Sequence, residues 1–258
     1  MRPFSSTVKR QMLRITYIVI TLLLVISSSH AEPQEGHCGI WEGYGKATLP
    51  DNSVYEGEFR NGLFNGKGAI TWKDGDRYEG NFKDGLLDGY GEFYSKTGTT
   101  YKGNHKNGVA HGKGISLMPG GKKYVGEFVV GMWEGHGIYI EPGIGRYEGS
   151  FEQGKYEGKG KFVFENGDIY EGEFRDGYWN GFGKFSLAIG ESYEGGFVNG
   201  RYHGKGVLTF ANGDVYKGEF NEGILHGQGL CISNDVIARC VYENNQQVSY
   251  EEISGNEI

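Results

Sequence analysis

Tyr55-Glu-Gly-Glu-Phe-Arg-Asn-Gly62, continued by Leu63-Phe-Asn-Gly-Lys-Gly-Ala-Ile-Thr-Trp72, is the stretch that decides the fold. Apolar and polar residues alternate from Tyr55 to Arg60, which is the period of a half-exposed strand. Asn61-Gly62 suits a type I′ hairpin turn, because both central residues of that turn need φ above zero. Gly66 to Trp72 then reads as the return strand. Lys73-Asp74-Gly75-Asp76 reads as a second turn that leads into the next hairpin.

The stretch recurs. Tyrosines stand at Tyr55, Tyr78, Tyr101, Tyr124, Tyr147, Tyr170, Tyr193 and Tyr216, every step being 23 residues. Counted from each tyrosine, glycine fills the third, eighth, twelfth and fourteenth places in all eight units. Phenylalanine fills the fifth place as Phe59, Phe82, Phe128, Phe151, Phe174, Phe197 and Phe220, with His105 in the remaining unit. A fixed period of this size marks an array of like units, each burying its apolar face only against its neighbours. The expected class is therefore all-β, an elongated, twisted antiparallel ribbon of hairpins with sixteen strands in the eight units. With a plain two-residue turn, Gly57 would face Gly66 and Tyr55 would face Gly68. Glycine inside strands implies close approach of something large, so the repeated rings are expected to lie over the bare glycine backbone.

Composition supports an ordered chain. Of 258 residues 47 are glycine but only 5 are proline, which excludes collagen and proline-rich linkers. Aromatics reach 14 %, too many for a glycine-rich disordered chain. Long helices do not fit, since each glycine costs about 1 kcal/mol in a helix interior.

The domain reading follows from the repeats. Residues 55–238 hold the eight units. Residues 39–54 read as an N-terminal half-repeat cap, because Gly39-Ile-Trp-Glu-Gly-Tyr-Gly45 is in phase with Gly62 to Gly68. Residues 239–258 read as a degenerate cap and tail, since Arg239 stands where a tyrosine is due. Residues 32–38 are a short leader. The second turns of the third and fourth units, Ser116 to Gly121 and Ile140 to Gly145, are the least regular, marking a bend, a specialised face or neutral drift in a loop.

Residues 1–31 have the three parts of a secretory signal: Arg2, Lys9, Arg10 and Arg14 with no acid, an apolar run from Ile15 to Ile26, and small residues ending at Ala31. Cleavage is expected after Ala31. The other reading is an uncleaved signal-anchor. In both, the remaining chain is exported, to a secreted, periplasmic or lumenal location, free or membrane-anchored. Beyond residue 31 the chain carries 22 Lys and Arg against 33 Asp and Glu, a net −11. Such a body is a poor candidate for nucleic acid and for holding anionic lipid by charge alone.

The pattern Tyr-Glu-Gly-Glu-Phe-x-x-Gly-x-x-x-Gly-x-Gly at period 23 resembles the MORN (membrane occupation and recognition nexus) repeat, from Gly39 to about Tyr242. The resemblance implies an extended antiparallel sheet and no single activity. Lipid association, self-association and peptide binding are the roles it suggests.

No catalytic residue, cofactor site or metal site emerges. The Gly-x-Gly pairs, such as Gly66/Gly68, belong to a structural column with no helix after them, so they are not phosphate loops. Acids recur at the second and fourth places (Glu56/Glu58, Glu171/Glu173, in part Glu127 and Glu219), either an acidic ladder or a solvated face. His111, His203 and His226 share the eleventh place without a third ligand nearby. Cys231 and Cys240 flank the last turn and are a candidate disulfide if that turn brings them opposite each other, with Ile70 and Glu79 as the matching pair in the first unit; a one-residue shift breaks it. Cys38 is then left over for an intermolecular bridge. The functional expectation is a non-enzymatic scaffold for protein–protein interaction or self-association, including a homodimer, with a protein partner of unknown identity. The alternative is a membrane or phospholipid-associating module.

Overall fold

The computed structural model describes residues 41–234 and 236–253. The signal segment, the cut after Ala31, the 32–38 leader and Cys38 all lie outside the described residues. Nineteen strands are present among them, every neighbouring pair described here is antiparallel, and the one helical piece is a single 3-10 turn, Pro119–Gly121. The all-β hairpin-repeat class read from the sequence is the class found.

The eight units supply β2 to β17, each unit giving a seven- or eight-residue strand and a longer return strand: β2 is Val54–Arg60, β3 Leu63–Thr71, and the last pair is β16 Val215–Asn221 with β17 Ile224–Ser233. β1 (Gly43–Thr48) precedes them and pairs with β2, Ala47 opposite Tyr55. Two strands follow them, β18 (Val236–Glu243) and β19 (Gln246–Glu252). Residues 236–252 thus form a complete terminal hairpin, where the sequence suggested one degenerate strand and a tail.

The described residues divide into two compact units at Pro142/Gly143, inside one of the two irregular turns. The N-terminal unit is the meander β1 to β9 (Met132–Glu141). The C-terminal unit is the meander from β10 (Gly145–Glu152) through β11 (Lys155–Phe164), β12 (Ile169–Arg175), β13 (Tyr178–Ser186), β14 (Ser192–Val198) and β15 (Arg201–Thr209) to β19.

The first turn of every repeat is the I′ turn expected, with φ of 51° at Asn61 and 75° at Gly62, and similar values in the other seven. The register beyond it differs from expectation. Phe59 pairs with Phe64, but Gly57 then pairs with Gly68 and Tyr55 with Ile70. Gly66 and Lys67 are looped out of the β2–β3 ladder as a bulge, which Gly66 permits with φ of 61°. The same irregularity recurs in the other hairpins, for example between Gly149 and Phe151. Gly57 therefore faces Gly68 rather than Gly66, and Tyr55 faces Ile70 rather than Gly68.

This register places the core. Tyr55 is fully buried, and a Cβ added at Gly57 would stand 2.5 Å from both the Tyr55 hydroxyl and the Gly68 Cα. The ring lies flat on the glycine pair, as the glycine columns suggested. Phe64 stacks on its outer side with centroids 3.8 Å apart and planes 13° apart. Phe59 and Phe82 meet it edge-on at 5.1 Å from either side. Each such pair adds about 0.5–1.5 kcal/mol beyond the area it buries. A single sheet thereby gains a core made of four layers: glycine backbone, tyrosine, a tenth-place ring, and flanking phenylalanines.

Side chains also tie several turns to a neighbouring repeat. Glu42 accepts the Asn61 N–H at 2.8 Å and Glu157 that of Asp176 at 2.9 Å. Asp76 accepts the Lys96 N–H and Asp168 the Ala188 N–H, both at 2.9 Å.

Three turns depart from the Asn or Asp that this geometry favours, with Val130, Gln153 and Glu222, and Val130 departs furthest. Val130 occupies the place of Asn61 with φ of 49° and stands 59 % exposed. A β-branched residue there is a steric outlier. Val130→Asn is expected to raise stability by about 1 kcal/mol, because asparagine adopts this backbone with little strain. A shift of the urea midpoint upward at constant slope is the check.

Candidate interaction face

The two sides of each meander differ in kind. The ring side is closed by the stacked aromatics. On it, all eight repeat tyrosines donate their hydroxyl to the carbonyl three residues on, from Tyr55 to Glu58 (2.9 Å) through Tyr216 to Glu219 (3.3 Å). That carbonyl sits beside the bulge, so each hydroxyl bond ties the ring to the irregular step of its own hairpin. Burial pushes the tyrosine hydroxyls above the usual phenol range, to about 12 in Tyr193 and Tyr202, which keeps them protonated as donors.

The opposite side is open. Second-place residues meet fifteenth-place residues of neighbouring strands in a row across it. In the N-terminal unit the row includes Lys46, Glu56, Ala69, Glu79, Glu92 and Lys102. In the C-terminal unit it runs Glu148, Lys161, Glu171, Lys184, Glu194, Val207. In the C-terminal row acids and lysines alternate, whereas in the N-terminal row Glu79 faces Glu92 directly. The ion pairs along the two rows are Lys46–Glu56 at 3.3 Å, Lys102–Glu92 at 2.8 Å, Lys161–Glu171 at 3.5 Å and Lys184–Glu194 at 3.7 Å. The Glu92 carboxyl is held below its usual range by hydrogen bonds from Lys102 and Tyr94. Of the acids singled out in the sequence, Glu56 and Glu171 stand in these mixed-charge rows. The fourth-place Glu58 instead turns onto its own bulge and accepts the Lys67 N–H at 3.0 Å.

A second row belongs to the thirteenth place, between the two glycines of each Gly-x-Gly. It holds Tyr44, Lys67, Tyr90, Lys113 and His136 in the N-terminal unit and Lys159, Phe182, Lys205 and Gln228 in the C-terminal unit. Flanked by residues without side chains, these groups stand clear of the sheet: Tyr44 is 73 %, Tyr90 54 % and Phe182 59 % exposed. From β13 to β19 this side forms a groove of about 960 Å³, lined among others by Phe182, Lys184, Lys205, Lys217, Leu230 and Arg239. Lys217 lies there between Val207 and Leu230 on the adjacent strands. Sequence reasoning treated Gly-x-Gly only as a false phosphate loop and missed what its middle residue presents. The exposed rings at Tyr44, Tyr90 and Phe182 were the available signal.

Of the remaining sites, Tyr78, Tyr101 and the other repeat tyrosines and phenylalanines are core. His111, His203 and His226 are not brought together with further ligands, and no group of three His, Cys, Asp or Glu among the described residues is placed to hold a metal ion. Cys231 and Cys240 are bonded, with Cα atoms 6.0 Å apart. They are diagonal neighbours: Cys231 faces Ala238 and Cys240 faces Gly229. The matching pair in the first unit is likewise not opposite, because Ile70 faces Tyr78. No helix among the described residues is long and apolar enough to cross a membrane.

Solved structures similar to this chain include the TCP10 domain of Danio rerio CPAP, at 10 % identity and a TM-score of 0.44 over 81 % of this chain and 100 % of that one. Another is the SAS-4 (dCPAP) TCP domain of Drosophila melanogaster in complex with a proline-rich motif of Ana2 (dSTIL), at 11 % identity and 0.38 over 75 % and 98 %. A virginiamycin B lyase from Staphylococcus aureus aligns at 12 % identity with a TM-score of only 0.15. Likeness at these values carries nothing about what this chain does. No curated protein sequence matches it. The MORN repeat model matches eight times in succession, at residues 55–77, 78–100, 101–122, 124–140, 147–169, 170–192, 193–215 and 216–235. The chain is a repeat scaffold and belongs to the MORN repeat family.

Proposed function

We propose that this chain is a non-enzymatic scaffold that mediates protein–protein interaction or self-association in an exported compartment, and that it does so through its open side. The observation that carries this reading is the thirteenth-place row. The repeat buries its conserved-period rings on one side, yet Tyr44, Tyr90 and Phe182 stand exposed on the other, among paired charges. Exposed rings rimmed by polar groups mark interaction surfaces, and aromatic anchors carry a large share of interface energy. Export is supported by the basic, apolar and small-residue order of residues 1–31.

Light scattering over rising concentration tests the self-association arm. The wild-type chain lacking residues 1–31 is expected to exceed its monomer mass, and Tyr44→Ser/Tyr90→Ser/Phe182→Ser to remain a monomer with unchanged thermal unfolding. A wild-type monomer at every concentration removes self-association. A second reading, a membrane-surface module, draws on the same rings beside Lys67 and Lys113, a pairing that suits a headgroup layer. Flotation with neutral and with anionic vesicles separates the two; no binding to either removes the second.

A further inference from the structure

The terminal hairpin lacks the device that holds every other one. In the interior of the C-terminal unit Leu208 faces Tyr216, Gly206 faces Gly218 and Gly204 faces Phe220. At the end of the array Cys231 faces Ala238, Gly229 faces Cys240 and Gly227 faces Tyr242. The repeat thus continues one residue out of its period, with Ala238 in the tyrosine place, Cys240 in the glycine place and Tyr242 in the phenylalanine place. Tyr242 meets the Tyr216 ring edge-on at 5.2 Å, as Phe220 meets Tyr193 at 4.8 Å. Ala238 has no ring to lay over the backbone. The space is taken by Cys240, 1 % exposed, which reaches across to Cys231 above the fully buried Ala238. Where a ring goes, glycine is required; where the ring is missing, glycine is replaced by a bonded cysteine. Beyond the bond and Tyr242 the hairpin buries little, and all seven residues of β19 are exposed.

We propose that Cys231–Cys240 is a redox latch on the terminal hairpin. Oxidised, it stands in for the tyrosine-on-glycine core and holds β18 and β19 on β17. A dithiol reductant cleaves the S–S bond to two thiols, two electrons and two protons coming from the dithiol, which leaves as its own disulfide. The hairpin then opens while the ring-cored repeats before it stay folded, since units in such arrays depend on their neighbours only. Opening uncovers the edge of β17, whose backbone donors and acceptors are then free to take another strand.

Hydrogen exchange on the chain lacking residues 1–31, with and without dithiothreitol, is the test. Amides of residues 236–252 are expected to exchange at least about tenfold faster after reduction, with those of residues 147–209 unchanged as the internal control. Cys231→Ala/Cys240→Ala is expected to show the fast pattern in both conditions. Equal protection of residues 236–252 in both states overturns the latch, and so does a loss of protection that spreads through residues 147–209.

Discussion

Gly149→Ala lowers the unfolding free energy by about 3 kcal/mol, while Tyr147→Phe, in the same layer, costs about 1 kcal/mol. The difference comes from what each change meets. An added Cβ at Gly149 stands 2.5 Å from the Gly160 Cα, 2.5 Å from the Tyr147 hydroxyl and 2.7 Å from the Lys159 carbonyl oxygen. Two of those three atoms are backbone of the paired strand, so no side-chain rotation relieves the contact. Either the strands separate or the Tyr147 ring lifts. Lifting it breaks the 2.9 Å bond to the Ser150 carbonyl and the stack on Tyr156 at 3.9 Å. Overpacking of this kind costs about 1–3 kcal/mol, the orphaned carbonyl adds about 1, and the stiffer unfolded chain returns about 0.5. Tyr147→Phe keeps the ring in place and loses only the hydroxyl bond. Urea unfolding of both variants checks the ratio. Equal small losses would mean the ring does not rest on the glycine pair.

His105→Phe removes the largest pH-dependent loss of stability between pH 6.5 and pH 4. His105 is the one departure from the phenylalanine column, 6 % exposed, edge-on to Tyr78 and Tyr101 at 5.0 Å each. Burial pushes its imidazole down to about 4, and Nδ1 has no hydrogen-bond partner among the described residues. In the unfolded chain the same group titrates near 6.5. The unfolded state therefore binds the proton first as pH falls. Stability is full above 6.5, declines through the window, and stops declining below 4, where both states are charged. A difference of about 2.5 units corresponds to about 3 kcal/mol. His105→Phe is expected to be the more stable protein at pH 7 by about 1–2 kcal/mol, since it removes an unsatisfied buried atom. It is expected to lack the decline between 6.5 and 4. Denaturant midpoints of both proteins across pH 4–8 measure the difference directly, and parallel pH profiles would refute it.

The sequence made the unit, the period, the I′ turns and the burial of rings on glycine legible, because each rests on the tyrosine and glycine columns, which are the same in all eight units. The bulge was not legible. Gly66 alone signals it, and a glycine can equally sit in a regular strand, so the register came out two residues wrong. The tenth-place rings were also missed. The tenth place is a ring in five units, Phe64, Trp133, Tyr156, Trp179 and Tyr202, and Leu87, Ala110 and Leu225 in the other three, because a lid on a ring tolerates many shapes. The exposed row hid for the opposite reason: Tyr44, Lys67, Tyr90 and Phe182 share no chemistry, only a position between glycines. The terminal hairpin was misjudged because the connection from β17 into β18 is one residue shorter than in the repeats, which moves Ala238, Cys240 and Tyr242 off the period of 23.

The central claim is that one side of each sheet is the core and the other is free to bind. Thermal and urea unfolding of Tyr44→Ser/Tyr90→Ser/Phe182→Ser tests it most directly. Three large rings are removed, yet stability is expected to stay within about 0.5 kcal/mol of wild type, as for surface changes. A loss of several kcal/mol would show that the open side is core after all and contradict the account.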